Sequence, residues 1–188
     1  MAVPMARGAN VTLTREVPDL ARVVLGISWN AGSETALSDS LVSATILCDA
    51  HGRALSPEHF VFFNQVQSPD LSVAQLEEAL GGDQEQVEVD LASVPPEVER
   101  ITVLLYVNEG LTQRRTLGQL KSCVIRVVNG VGNTELIRSE NLAPGLRNET
   151  ALTLGELYRH ASDWKFRVLG QGYSDGLRAV ASDYGITV

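Results

Sequence analysis

Oxygen-bearing side chains gather in two short stretches of this 188-residue chain, and their chemistry is that of ligands for hard cations. Asn30, Glu34 and Asp39 share one polar segment, while Asp83 and Glu85 follow the pair Gly81-Gly82. Calcium takes about six to eight oxygens, drawn from carboxylates, amides and carbonyls at about 2.3–2.6 Å. Loops converging from different strands at one end of a domain could supply such a set. Spacing alone does not select one metal.

No rival chemistry is legible. His51, His59 and His160 lie far apart and form no His-x-x-x-His or Cys/His cluster of zinc spacing. The chain contains neither a Gly-x-Ser-x-Gly elbow nor a P-loop. In Leu169–Gly176, Asp175 stands where the third glycine of a dinucleotide fingerprint belongs, and too little chain follows for a βαβ unit. It reads as a glycine-rich turn joining a strand to a helix. Cys48 and Cys123 each sit in an apolar run and read as buried small hydrophobes.

Strands must position the oxygen ligands. Val23–Asn30 and Ser43–Cys48 are β-branched apolar runs flanking the polar Ala31–Ser40, which predicts a strand pair joined by a long loop. Such a loop on a rigid frame is where an all-β domain carries its binding chemistry. Val11–Thr14 reads as a first short strand, Asp49–Gly52 as a tight turn and Phe60–Val66 as a strand. Ser72–Leu80 has good helix formers with Ser72 as a cap and Gly81-Gly82 as a stop, which predicts a short helix. Gln86–Leu91 alternates polar and apolar residues, and Arg100–Val107 and Cys123–Val128 read as buried strands. Asn129-Gly130 signals a hairpin into Thr134–Arg138, and Ala151–His160 and Trp164–Leu169 add two more strands. Leu177, Val180, Ala181 and Tyr184 fit one face of a closing helix that ends at Gly185. The expected architecture is a single β-sandwich domain over 1–188, all-β with a few accessory helices.

The charge is unevenly spread. Between Ala54 and Glu99 there are ten acids and no Lys or Arg, so that segment carries −10 while the remainder carries +2, for a net −8. Such a field disfavours nucleic acid and suits cations, a basic partner or head-to-tail contact between copies. No stretch approaches the roughly 20 apolar residues a membrane-spanning helix needs, and no apolar run follows a basic start, so cytoplasmic residence is the expectation. Two glycosylation sequons, at Asn10 and Asn148, carry no weight in that setting.

Over nearly its whole length the chain resembles the TerD-type tellurium-resistance and stress-response proteins of bacteria. The matching stretches are Gly8–Thr14, Leu25–Asn30, Phe62–Gln65 with Ser68–Asp70, and Gly82–Leu91, then Gly155–Arg159, Trp164–Phe166 and Gly170–Gly172. The resemblance implies a β-sandwich, calcium bound by acidic loops, partner proteins of a stress-response system and no enzymatic turnover.

The chain departs from the family where the metal should sit. The family's Trp-Asp is Trp29-Asn30, its Asp-Leu-Asp-Ala-Ser is Asp39-Ser40-Leu41-Val42-Ser43, and its Gly-Asp-Asp-Glu is Gly82-Asp83-Gln84-Glu85. A further aspartate, after the Ile101–Val107 run, has become Asn108 or Glu109. Each anionic ligand offsets part of a cation's dehydration, so fewer carboxylates mean a weaker calcium site. The expected function is therefore a TerD-like binding or scaffold protein with its calcium site weakened or lost, working through protein partners. The remaining candidate ligands are Asp39, Asp83, Glu85 and Asn30. A working calcium-binding protein using the acids that remain is the alternative.

Overall fold

The computed structural model describes residues 2–108 and 115–187. Among them, Val3–Met5 (β1) and Asn10–Thr12 (β2) precede the one-turn helix Leu13–Glu16 (α1), and the long strand Arg22–Asn30 (β3) leads into the helix Thr35–Ser40 (α2). Leu41–Cys48 (β4), Phe60–Val61 (β5), Val73–Gln75 (β6), Glu85–Asp90 (β7) and Arg100–Val107 (β8) follow. Ser122–Asn129 (β9), Glu135–Ser139 (β10), Ala151–His160 (β11), Asp163–Tyr173 (β12) and Gly176–Asp183 (α3) complete the order. The strands form two six-stranded sheets, β1-β10-β9-β3-β7-β6 and β2-β12-β11-β8-β4-β5.

The β-sandwich expectation holds, because the apolar runs alternate inward as their composition requires. Val23, Leu25 and Ile27 of the first sheet meet Ile101, Val103, Leu105, Leu157 and Phe166 of the second in one buried core. A smaller cluster lies on the outer face of the second sheet, where Val180 and Ala181 of α3 cover Ala44, Ile46 and Leu104. That is the amphipathic face expected of the closing helix, and Gly185 takes φ +77° just beyond its end. Cys48 and Cys123 are free and buried, and burial pushes both thiols up to about 12.

Five expectations need correction. Val11–Thr14 is a strand only as far as Thr12, because the chain coils at Leu13, whose carbonyl accepts from the Val17 N–H at 2.9 Å to close the turn of α1. The runs flanking Ala31–Ser40 are not a strand pair: β3 belongs to the first sheet and β4 to the second, so their connection crosses the sandwich. Leu37 of α2, fully buried, plugs that crossing. Ser72–Leu80 is not a helix. Val73 and Gln75 turn inward as β6 and pair with Val89 and Val87, so sheet pairing overrides local helix propensity. Ser72 Oγ donates to Asp70 rather than capping, and Gln86 Nε2 donates to the Leu80 carbonyl at 2.9 Å, fixing the chain as a loop. Phe60–Val66 is a strand only at β5; Phe62 and Gln65 exchange backbone hydrogen bonds at 3.0 and 2.9 Å, closing a tight turn. Gly170 and Gly172 lie within β12, which runs on to Tyr173 instead of stopping at a turn. Glycine is needed there because a Cβ on residue 172 would meet Glu149 Cγ at 2.6 Å.

A register shift between Thr153 and Gly155 reverses the facing of β11, so Leu157 points into the core and Glu156 outward. Glu156 is only 5% exposed although Arg100 and Arg167 approach it at no less than 3.8 and 3.7 Å. Burial pushes its carboxyl above the usual range against the pull of both arginines. A carboxyl that binds its proton more tightly folded than unfolded weakens the fold as pH rises above the ordinary value of about 4.3. Glu156→Gln should therefore raise Tm at pH 7 by more than it does at pH 4. Thermal unfolding at the two pH values checks this, and an equal or smaller gain at pH 7 refutes it.

Candidate functional site

The crossing between the sheets shapes an open depression of about 420 Å³ at one end of the sandwich, lined by Trp29, Asn30, Ala31, Gly32, Thr35, Ser38, Asp39 and Gln84. β3 delivers Trp29 and Asn30, α2 delivers Thr35, Ser38 and Asp39, and the approach to β7 delivers Gln84. Trp29 Nε1 donates to Ser38 Oγ at 3.1 Å, which ties α2 to the end of β3. Asn30 Oδ1 accepts from the Gly32 N–H at 2.7 Å, an Asx turn that starts the loop.

Gln84 uses both ends of its amide on the backbone of Trp29, accepting from its N–H at 3.0 Å and donating to its carbonyl at 2.7 Å. Its own N–H donates to the Ile27 carbonyl at 2.9 Å, so Gln84 prolongs the β3–β7 ladder into the loop. A carboxylate at this position could not donate, and only an amide makes the pair in full. Lys121 lies against the other wall: a Cβ on Gly32 would meet its Cε at 2.7 Å and its Nζ at 3.0 Å.

Of the four candidate ligands, the fold brings Asn30 and Asp39 to the depression and turns Asp83 and Glu85 elsewhere. Asp83 lies across the outer face of the first sheet, its side chain 4% exposed, and accepts from Arg126 Nη2 at 2.7 Å and Nε at 3.0 Å. Gln86 Nε2 adds a third donor at 2.7 Å. Arg126 also reaches Glu135 at 3.2 Å, and Glu135 binds Arg138 at 2.6 Å, so the carboxylate joins a network of alternating charge. Hydrogen bonding to Asp83, against partial burial, pushes the Arg126 guanidinium above its usual range. The pair exists because Gly26 stands between its partners: a Cβ there would lie 2.2 Å from Asp83 Oδ2.

Glu85 faces the opposite way, into the gap between the sheets. It accepts from Ser43 N at 2.7 Å, from Ser43 Oγ at 3.2 Å and from Gln75 Nε2 at 3.1 Å, clamping β7 and β6 to β4. Leu41 is 4% exposed in the core. The Asn108 N–H donates to the Ser40 carbonyl at 2.7 Å, and Glu109 lies outside the described residues. Glu34 is exposed at the start of α2 and does not line the depression. Among the described residues no three His, Cys, Asp or Glu side chains come together as a metal would need.

Sequence reasoning missed Arg126, Gly26, Lys121 and the double role of Gln84. The available signal was Arg126 itself, a lone cation in the apolar run Cys123–Val128, which an outward-facing strand position must pair or solvate.

Comparison with known proteins agrees with this architecture. A family model described as the TerD domain matches residues 1–184. General stress protein 16U of Bacillus subtilis (strain 168) is 37% identical, with all of both chains covered. Tellurium resistance protein TerD of Serratia marcescens is 35% identical over 99% of this chain and 98% of its own. Among solved structures, a telluride resistance protein (TerD) homologue from Streptomyces coelicolor A3(2) shares the fold. Its TM-score is 0.66 and its identity 22%, over 90% of this chain and 99% of its own. A family match along almost the whole length, relatives of 37% and 35% identity covered end to end and a shared fold lead to one conclusion: the chain belongs to the TerD domain family.

Proposed function

We propose that the chain is a non-enzymatic stress-response protein of the cytoplasm, a sandwich scaffold that works through protein partners and whose calcium site is weakened. The observation that carries this reading is the commitment of Asp83 to Arg126, which leaves Asp39 as the carboxylate lining the depression. Beside it the depression offers Thr35 and Ser38 hydroxyls and the Asn30 amide, with Gln84 occupied by the Trp29 backbone. One carboxylate and a few neutral oxygens fall short of what offsets the dehydration of a divalent cation, and the Lys121 ammonium beside Gly32 repels it further. Similarity to proteins named for general stress and tellurium resistance supports the biological setting. The acidic segment 54–99 is the partner-facing surface in this reading, since Glu58, Glu77, Glu78 and Glu97 are all exposed.

Calorimetric titration of the metal-stripped protein with calcium tests the proposal. Binding should be no tighter than about 1 mM, the weak end of the range for calcium modules. A sub-millimolar site would sink it and leave a working calcium-binding protein.

A further inference from the structure

The outer face of the second sheet is only half covered. α3 and the Tyr184 that follows it pack on one part, and beside them run two adjacent cross-strand rows, Arg100-Tyr158-Lys165 and Thr102-Glu156-Arg167, in which Thr102 is fully buried and the cations lie at the open side. Arg167 lies 4.9 Å from the Tyr158 ring centre and donates to its hydroxyl at 3.3 Å, while the Lys165 ammonium stands 5.9 Å from the same ring. The side chains of Arg100 and Arg167 remain 43% and 38% exposed. Arg100 and Arg167 thus flank one buried carboxylate, and Arg167 and Lys165 flank the Tyr158 ring, which leaves this side of the face with more cations than acids.

The chain itself carries the complement. Residues 66–80, along the β6 edge of the first sheet, contain Asp70, Glu77 and Glu78 and no cation. Val66, Leu71 and Leu80 of the same stretch are 43%, 66% and 72% exposed. Leu71 is moreover held at φ +65°, a conformation that disfavours a leucine, with its side chain turned to solvent where it stabilises nothing in the fold. Exposed apolar side chains bordered by polar ones suit a protein contact, and the acids here are opposite in charge to the Tyr158 face.

We propose that the cationic half-face around Tyr158 docks the acidic β6 edge of a second copy of this chain. The two surfaces are different parts of one molecule, so the contact is heterologous and each added copy leaves one surface of each kind open. Assembly therefore continues past two copies, and it is driven by charges that salt screens. It shares the acidic segment with the functional proposal but not the weakened cation site, so calcium titration and the association experiment fail independently.

Sedimentation velocity of the full chain over a range of concentrations tests it. At low salt the average mass should climb with concentration beyond the dimer, and at about 0.5 M salt, where screening acts within a few ångströms, it should fall to the monomer. The double reversals Lys165→Glu/Arg167→Glu and Glu77→Lys/Glu78→Lys should each weaken association at least about tenfold, and an equimolar mixture of the two should regain it. Leu71→Gly should weaken association without lowering Tm. If a reversal variant does not fold, Lys165→Gln alone should still weaken association by about threefold. A chain that stays monomeric at all salts, association indifferent to salt or to the reversals, or growth that stops at two overturns the proposal. So does capture of a polyanion such as heparin by a non-associating chain, which assigns the face to a foreign partner.

Discussion

Arg126→Met lowers the stability of the fold by about 3 kcal/mol, read as a reduced urea midpoint with an unchanged slope. The size follows from what is left behind. Asp83 keeps its place over Gly26 with its side chain 4% exposed, and of its three donor contacts only Gln86 Nε2 remains. A buried carboxylate without its cation bears a desolvation cost that one amide does not offset. Glu135 also loses a partner but keeps Arg138 at 2.6 Å and has access to water, so it adds little. The double variant Asp83→Leu/Arg126→Met, with both charges gone and the volume kept, should recover most of the loss. If the single variant costs less than about 1 kcal/mol, or the double costs as much as the two singles together, the pair is solvated and does not fix Asp83. The result bears on function because the same pair withholds this carboxylate from the depression.

What the sequence discloses about this protein divides along physical lines. The strands of the sandwich were legible because they are long and chemically uniform. Val23–Asn30, Arg100–Val107 and Ala151–His160 keep their β-branched or alternating pattern over eight to ten residues, and the observed strands match them to within a residue or so. The composition of Ser72–Leu80 favours a helix, and only the partner strand β7 makes Val73 and Gln75 a strand. The crossing from β3 to β4 is hidden for a similar reason: nothing local distinguishes a loop that joins neighbours from one that changes sheets. Asn30 and Asp39 meet at the depression because Asn30 ends β3 and Asp39 lies on α2 in the same connection, although the composition of Ala31–Ser40 gives no sign of that helix. The commitment of Asp83 was not legible, since its partner is 43 residues away and reaches it across a strand that must carry a glycine at one position. Pairing across three strands is a property of register, and register is set by the whole sheet.

Asn30→Asp should tighten calcium binding by about tenfold or more, because it returns a carboxylate to the depression without disturbing the loop. The two side chains have the same shape. Asn30 Oδ1 accepts from the Gly32 N–H at 2.7 Å, and an aspartate oxygen accepts the same hydrogen bond while leaving its second oxygen and a full charge beside Asp39. Two carboxylates close together repel each other in the absence of metal, so the variant should be slightly less stable when stripped and gain stability on adding calcium. Lys121→Gln removes the opposing ammonium and should add to the gain, whereas Leu41→Asp buries a charge in the core and should damage the fold instead. Calorimetric titration of Asn30→Asp, Lys121→Gln and their combination against the parent distinguishes the cases. Unchanged affinity in Asn30→Asp and in its combination with Lys121→Gln would mean that the depression under Trp29 is not where a cation sits. A gain confined to the combination would instead mean that the missing carboxylate and the Lys121 charge together weaken the parent, neither change being enough alone.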